Sequence, residues 1–515
     1  MDDQSAVIAF LADPSSYGPG VEAVERIDTH ISVVFLAGDR VFKLKRAVDL
    51  PFLDYGSPDK RRLSCAREIA LNRRTAPDLY LGLRAVTRQP DGTFTFDGEG
   101  EVLDWVVEMV RFDADGLFDR RAAAGRLDAA AVDGAVDSVT ALHRDAEVVD
   151  VPADWLSGTV EELLESLPRF PDVLYADAVA RYSTQLQRAY EDARPLLAAR
   201  AEAGHVRACH GDLHLANICT FGCRATLFDA AEANDSFMQI DVLYDLAFLL
   251  MDLGHRGLGA LANTALNRYV ASAFDPLAVL DGLAALPLFL SLRAAIRARV
   301  AALTVANAPD VPAAAECRDN ARRYLEQAEG LLAPPPAMLV AVGGPSGTGK
   351  STLAFGLAPG IGACPGAIVV RADTVRKFLF DVPETTRLRD AAYTSEWHAR
   401  TYDAVFERAR RTLAAGHACI VDGVNGRPKD RDALRRLADA TGVSFTGLWL
   451  DAPADVLRAR VEGRHGDASD ADATILEHQL EQGFGKVDWV RLGASGPPDE
   501  VLAEACAVLS RATQK

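Results

Sequence analysis

Two stretches of this chain place reactive side chains at spacings with a chemical use. The first runs C-H-G-D-L-H-L-A-N-I-C-T-F-G-C, from Cys209 to Cys223. His210, Asp212 and Asn217 stand in it as H-x-D-x-x-x-x-N. An aspartate at that position can take the proton of an attacking hydroxyl, and an asparagine five residues later can offer its amide oxygen to a divalent cation. A hairpin turning at Phe221–Gly222 would return the run A-T-L-F to Asp229, a second carboxylate for the same cation. The cysteines and histidines also raise a tetrahedral zinc site. That reading leaves the Asp and Asn spacing unexplained, whereas cysteines serve readily as small apolar fillers. Mg2+ on oxygen ligands is the expected metal.

The second stretch is M-L-V-A-V-G-G-P-S-G-T-G-K-S-T, an apolar strand-like run that opens into G-x-x-x-x-G-K-S and a helix-like segment. In that setting the loop Gly344, Pro345, Ser346, Gly347, Thr348, Gly349, Lys350, Ser351 and Thr352 wraps phosphates with its backbone N–H groups, and the helix start adds partial positive charge. Lys350 would reach the β- and γ-phosphates of ATP, and the Ser351 hydroxyl would meet Mg2+. Downstream, A-I-V-V-R-A-D carries Asp373 at the end of a strand, where a carboxylate can take a proton from an acceptor hydroxyl. Arg376 follows on a helix. H-A-C-I-V-D ends in Asp422, the expected Mg2+ carboxylate of this site. L-R-A-R-V-E-G-R carries Arg458, Arg460 and Arg464, which suit a lid closing over transferred phosphate and equally suit a solvated helix face.

Residues 338–515 resemble the small P-loop kinases akin to gluconate kinase, the polynucleotide 5′-hydroxyl kinase and the zeta-toxin group. That resemblance implies Asp373 as base, with Arg376 touching substrate or phosphate. H-G-D-L-H-L-A-N-I, continued by V-L-Y-D-L-A-F-L-L-M-D-L at 242–253, resembles the aminoglycoside phosphotransferase family. It implies a kinase-like fold acting on hydroxylated small molecules, with Asp245 bracing the catalytic loop. A fusion of the two is the recurring bifunctional arrangement. The kinase-like fold then calls for a Lys–Glu pair and an adenine-binding hinge. In V-F-K-L-K, Lys43 and Lys45 share one strand face because side chains alternate; Lys43 is favoured for phosphate and Lys45 is the alternative. Glu68 is the natural partner, and Glu108, Met109 and Val110 form the expected hinge. No G-x-G-x-x-G precedes the lysine strand; T-H-I-S at 29–32 takes its place, with hydroxyls that also form turns.

These residues need scaffolds, and the sequence divides accordingly. A small β-rich lobe is expected over residues 1–110, with β-like runs at 31–36, 41–45 and 102–110 and a helix over Lys60–Thr75. Residues 111–333 read mainly as helix. L-L-A-P-P-P-A cannot continue a helix, so the linker falls at 334–337. Residues 338–515 alternate strand-like and helix-like runs, the pattern of a parallel sheet with crossover helices. The fold class expected is a bilobal α+β kinase-like domain followed by an α/β P-loop domain.

At 515 residues the chain is long enough for more than one core. A net charge of −18 argues against a nucleic-acid partner, and the arginines near Leu283–Val305 break the most apolar run, arguing against a membrane span. The eight scattered cysteines and the start M-D-D-Q-S-A suggest no disulfide framework or secretory leader, so a cytoplasmic protein is expected. The expected activity is ATP- and Mg2+-dependent phosphotransfer to a hydroxyl of a small molecule. Abundant acidic residues suit an amino sugar as acceptor and equally a solvated surface. Two alternatives stand beside it: catalysis by the P-loop part alone, on a small molecule or a polynucleotide 5′-hydroxyl, or a nucleotide-sensing regulator. Neither acceptor nor oligomeric state is legible.

Overall fold

The structure is a computed structural model that describes residues 3–50, 53–307, 314–463 and 469–512. The β-branched and aromatic runs of the N-terminal part form a six-stranded antiparallel sheet. Its spatial order is Val24–Asp28, Ser32–Ala37, Arg40–Lys45, Glu101–Val110, Tyr80–Arg88 and Phe94–Phe96. Ala37 pairs with Arg40, so Gly38 and Asp39 make the tight turn that the sequence implies. Phe42 and Leu44 enter a core with Val33, Phe35, Val86 and Val106. Alternation therefore turns Lys43 and Lys45 to the opposite face. The helix Pro58–Asn72 packs on the sheet through Cys65 and Ile69, which meet Val107 and Met109. Ser57 caps its start by accepting from Lys60 N–H, Pro58 presets the first turn, and Asp59 complements the dipole.

By packing, the chain forms two compact units, residues 1–155 with 197–252, and residues 156–196 with 253–515. The first holds the six-stranded sheet, the helix Ala129–Asp145, and the hairpin Ile218–Phe221 with Arg224–Leu227. Phe221 pairs with Arg224, so the turn residues are Gly222 and Cys223, one position later than the expected Phe221–Gly222. Both have positive φ, 55° and 63°, the backbone twist that a two-residue hairpin favours.

The second unit contains a five-stranded parallel sheet in the order Ile368–Arg371, Cys419–Asp422, Met338–Gly343, Ser444–Asp451 and Val490–Gly493. All six residues of Met338–Gly343 are buried, as expected for a strand covered on both faces. Its unit extends upstream of the prolines at 334–336, because earlier helices pack directly against this sheet. Asn267 on the helix Gly259–Ser272 accepts from Val369 N–H at 2.7 Å, while Asn263 and Asn267 both donate to the Ala367 carbonyl at 3.1 Å. These amides satisfy the edge of Ile368–Arg371, which would otherwise present unpaired backbone. The packing division thus differs from the boundary drawn at 334–337. The run Pro276–Asn307 is apolar and long enough to cross a membrane by composition, yet 78% of its most apolar window is buried inside the protein.

Candidate functional site

The loop from His210 to Asn217 is held from beneath by Asp245. Its carboxylate accepts from His210 N–H at 3.0 Å and Gly211 N–H at 2.9 Å, and meets His143 Nε2 at 3.1 Å. Asp245 is fully buried, so it anchors the loop and faces no ligand. Gly211 has φ +86°, and a Cβ there would fall 2.5 Å from the Phe237 carbonyl oxygen, so the bend requires glycine. His210 Nε2 lies 3.1 Å from the Phe228 carbonyl, tying the loop to the end of the hairpin. Burial lowers the His210 pKa, keeping a neutral imidazole that donates to this carbonyl. His143, Cys209 and Asp245 cluster closely enough to suggest a metal, but the Asp245 oxygens already serve this brace. Cys219 faces Thr226 across the hairpin while Cys223 sits exposed at its turn, which separates the two cysteines of the zinc reading.

Above the brace, Asn217 Nδ2 donates to Asp212 Oδ2 at 2.8 Å, so the atom of its side chain able to ligate a cation is the amide oxygen. Asp229 follows the returning strand with φ 59°, a left-handed conformation uncommon for a non-glycine residue. Tyr80 Oη accepts from Asp229 N–H at 3.2 Å, and Asn72 Oδ1 accepts from Ala230 N–H at 2.9 Å. The lysine strand and the helix Pro58–Asn72 complete the cluster. Lys43 Nζ donates to Glu68 Oε1 at 2.9 Å and Asp229 Oδ1 at 2.6 Å. Lys45, the alternative, is wholly buried and bonds Glu68 Oε2 at 2.6 Å. Lys43, Glu68, Asp212, Asn217 and Asp229 thus gather in one place, with Lys43 more exposed than Lys45.

The hinge residues are less open than the sequence implies. The strand continues through Glu108, Met109 and Val110; Glu108 meets Arg84 at 3.1 Å, and Val110 N–H is donated to Leu79 at 2.9 Å. That N–H is unavailable to a base. Thr29 Oγ1 bonds Ser32 within its turn, and Ser32 is buried.

Glu68 gives a pH prediction. Burial pushes its carboxyl up, but the ammonium groups of Lys43 and Lys45 outweigh burial and hold it below the ordinary value near 4.5. A depressed carboxylate stabilises the fold above its unfolded pKa and loses that contribution as pH falls through the folded value. Wild type is expected to exceed Glu68→Gln in urea midpoint at neutral pH, with the gap closing below about pH 4. Paired urea titrations across pH 2–7 measure it.

The P-loop lies between the strand Met338–Gly343 and the helix Lys350–Leu357, opening on a cavity of about 230 Å³. Gly344 has φ +141°, and a Cβ would meet the Leu450 carbonyl at 2.4 Å. Ser346, Gly347, Gly349, Lys350, Ser351 and Thr352 line the cavity. Thr348 is buried and donates its hydroxyl to the Pro345 carbonyl at 2.8 Å, closing the loop from inside. Ser351 Oγ donates to Asp422 Oδ2 at 2.6 Å, pairing the two proposed cation ligands. Burial raises the Asp422 pKa, against the charges of Arg371 and Lys350.

Two contacts already use loop groups that the sequence assigns to phosphate. Lys350 Nζ donates to the Pro345 carbonyl at 2.9 Å, and Ser346 N–H donates to Gln479 Oε1 at 3.0 Å. Gln479 belongs to the helix Ala473–Gln482, over a hundred residues away, and no local motif announces it. Asp373 and Arg376 line the opposite wall. Asp373 lies in the first turn of the helix Ala372–Leu379, two residues past the strand end where the sequence placed it. Arg376 donates to the Ala392 carbonyl at 2.9 Å and rests over the Tyr393 ring. Asp470, also lining the cavity, accepts from Lys377 at 2.7 Å and Tyr393 at 2.6 Å. Of the lid arginines, Arg458 pairs with Glu477 at 3.3 Å, away from the cavity lining, and Arg464 lies outside the described residues.

Several known proteins are similar to all or part of the chain. A family model described as an AAA domain matches residues 339–484. An uncharacterized protein of Mycobacterium tuberculosis (strain H37Rv) is 29% identical over 497 residues, covering 93% of this chain and 94% of that protein. A solved gluconokinase of Sinorhizobium meliloti is 26% identical, over 34% of this chain and 93% of its own, with a TM-score of 0.26. A choline/ethanolamine kinase family protein of Mesorhizobium loti is 15% identical, over 64% of this chain and 99% of its own, with a TM-score of 0.35. Residues 339–484 thus match the AAA domain model, and they contain the G-x-x-x-x-G-K-S loop between a buried strand and a helix.

Proposed function

We propose that the N-terminal region transfers a phosphoryl group from ATP to a hydroxyl of a small molecule, and that the P-loop region binds a second ATP and also transfers phosphate. The carrying observation is the meeting of Lys43, Glu68 and Asp229 beside the Asp212–Asn217 pair. Mg·ATP supplies the transferable phosphoryl group and the cation that offsets its charge. Lys43, oriented by Glu68, clamps the α- and β-phosphates. Asn217 and Asp229 hold the cation through oxygen atoms. Asp212 orients the acceptor hydroxyl and takes its proton as the new O–P bond forms and the γ-phosphorus parts from the bridging oxygen, which leaves with ADP. The work of the site is positioning and charge neutralisation.

In the P-loop region Lys350 and the loop N–H groups hold phosphate, while Ser351 and Asp422 hold the cation. Asp373 takes the acceptor proton, with Arg376 beside it. Arg464 remains the lid candidate for neutralising transferred phosphate, since Arg458 is paired with Glu477. A screen of metabolite pools with labelled ATP tests the proposal, using wild type and variants disabled at each site. Wild type yields a phosphorylated hydroxyl compound; absence of any such product overturns the reading.

One contact favours a second reading, a nucleotide-responsive regulator. The Gln479 amide oxygen accepts the Ser346 N–H that phosphate would need. Nucleotide entry must exchange that bond, so Gln479→Ala is expected to tighten ATP binding at the P-loop by about two- to fivefold. Calorimetric titration of wild type and variant measures the shift. Tight binding without any phosphorylated product would support the regulator.

A further inference from the structure

Lys45 carries a charge that is wholly buried. Its Nζ reaches Glu68 Oε2 at 2.6 Å, and its second carboxylate partner is Glu232. Tyr55 closes over the pair, with Nζ 5.2 Å from its ring centroid and its hydroxyl 3.4 Å from Glu232 Oε1. Two residues earlier on the same strand face, Lys43 takes the other Glu68 oxygen and also Asp229. The charges alternate in a chain, Glu232–Lys45–Glu68–Lys43–Asp229. Asp229 and Glu232 belong to one short segment, D-A-A-E, which closes that chain into a ring.

The two halves of the ring differ in exposure. The side chains of Lys45 and Glu232 are 0% and 9% exposed, whereas those of Lys43 and Asp229 are 15% and 40% exposed. A ligand can reach the outer pair and is shielded from the inner one. A phosphate entering the site would draw Lys43 away from Asp229 and break the outer link. The inner link would then remain as the direct ion pair between the lysine strand and the Asp229 segment. Ala230 N–H on Asn72 Oδ1 and Ala231 N–H on the His210 carbonyl, at 2.9 and 3.0 Å, fix the backbone between the two acids.

We propose that Lys45 and Glu232 are a positioning pair that holds Glu68 and the Asp229 segment in register, so that Lys43 meets phosphate while Asp229 stays free for the cation. The inference rests on the nucleotide reading of this site. Without the Glu232 charge, Lys45 has one carboxylate partner and draws Glu68 from Lys43, while Asp229 loses its anchor. Glutamine at 232 keeps the shape and an amide oxygen for Lys45. Its effect should therefore fall on ligand binding rather than on folding.

The test uses the full chain in a Lys350→Ala background, which weakens the P-loop site, with ATP·Mg as the probe. Binding is followed by calorimetry at several Mg2+ concentrations, and folding by thermal melting. Glu232→Gln is expected to melt cooperatively, to weaken ATP·Mg binding at this site about tenfold, and to need more Mg2+ for half-saturation. Glu232→Asp should recover part of the loss. Lys45→Met combined with Glu232→Leu removes both charges and leaves no lone buried ion, which guards against misfolding of the single variant. A folded double variant that still binds weakly supports the proposal. Parent-like affinity and Mg2+ dependence in either folded variant overturns it. A parent that retains no ATP·Mg site removable by Asp229→Ala overturns the nucleotide reading itself, a result distinct from equal binding by parent and Glu232→Gln.

Discussion

Asp212→Asn is expected to lower formation of the phosphorylated product of the N-terminal site by roughly 10²–10⁴-fold, while ATP affinity stays within about threefold of wild type. Asparagine preserves the size of the side chain and can keep a contact with Asn217, whose Nδ2 lies 2.8 Å from Asp212 Oδ2. It cannot take a proton from an acceptor at pH 7. The loop should persist, because Asp245 and Gly211 hold it independently of residue 212. Single-turnover assays with labelled ATP and the acceptor found in the metabolite screen separate this loss from weaker binding. Unchanged product formation would instead assign catalysis to the P-loop part alone.

Lys350→Ala should give the complementary result. Removing a preorganised cation from a phosphate site lowers turnover by roughly 10²–10³-fold, the scale of losing one strong charge-stabilising group. Lys350 now donates to the Pro345 carbonyl, a bond that the loop itself can lose without unfolding, since Thr348 also donates to that oxygen at 2.8 Å. The expected loss therefore concerns phosphate binding and turnover at the second site. Product dependent on Asp212 should survive. Measuring every labelled product in both single variants and the double variant distinguishes two independent transferases from one transferase with a nucleotide-binding partner. Loss of all products in either single variant would show that the two sites depend on each other.

Candidate groups carried by one continuous segment were legible in the sequence as neighbours in space. His210, Asp212 and Asn217 share a loop, Asp229 follows by one hairpin, and Ser346 to Ser351 share another loop. Their separation along the chain limits their separation in space, so residue type and interval already carry the chemistry. Lys43 was favoured over Lys45 without a structural reason for choosing; burial supplies one, because Lys45 is enclosed by Glu68, Glu232 and Tyr55. The hinge was less legible, since no local pattern reveals that Val110 N–H is donated to Leu79. Arg458 illustrates the same limit. A basic helix face looks alike whether it closes over a ligand or pairs with Glu477.

Alternating strands and helices around a Gly-x-x-x-x-Gly-Lys-Ser loop determined the parallel-sheet architecture downstream, and a β-rich segment before the His–Asp–Asn loop determined the antiparallel sheet upstream. Local periodicity sets which face of an element is apolar, and that is enough to specify such layers. Tertiary structure alone decided which distant side chains complete them. Asn263 and Asn267 satisfy a strand edge about a hundred residues away, Gln479 takes a P-loop N–H, and Glu232 fixes the inner lysine. A buried polar group needs a partner at hydrogen-bond distance, but its energy is indifferent to how far along the chain that partner lies. Sequence spacing therefore picked out candidate groups that meet in space, and three-dimensional packing selected the groups that hold them in place.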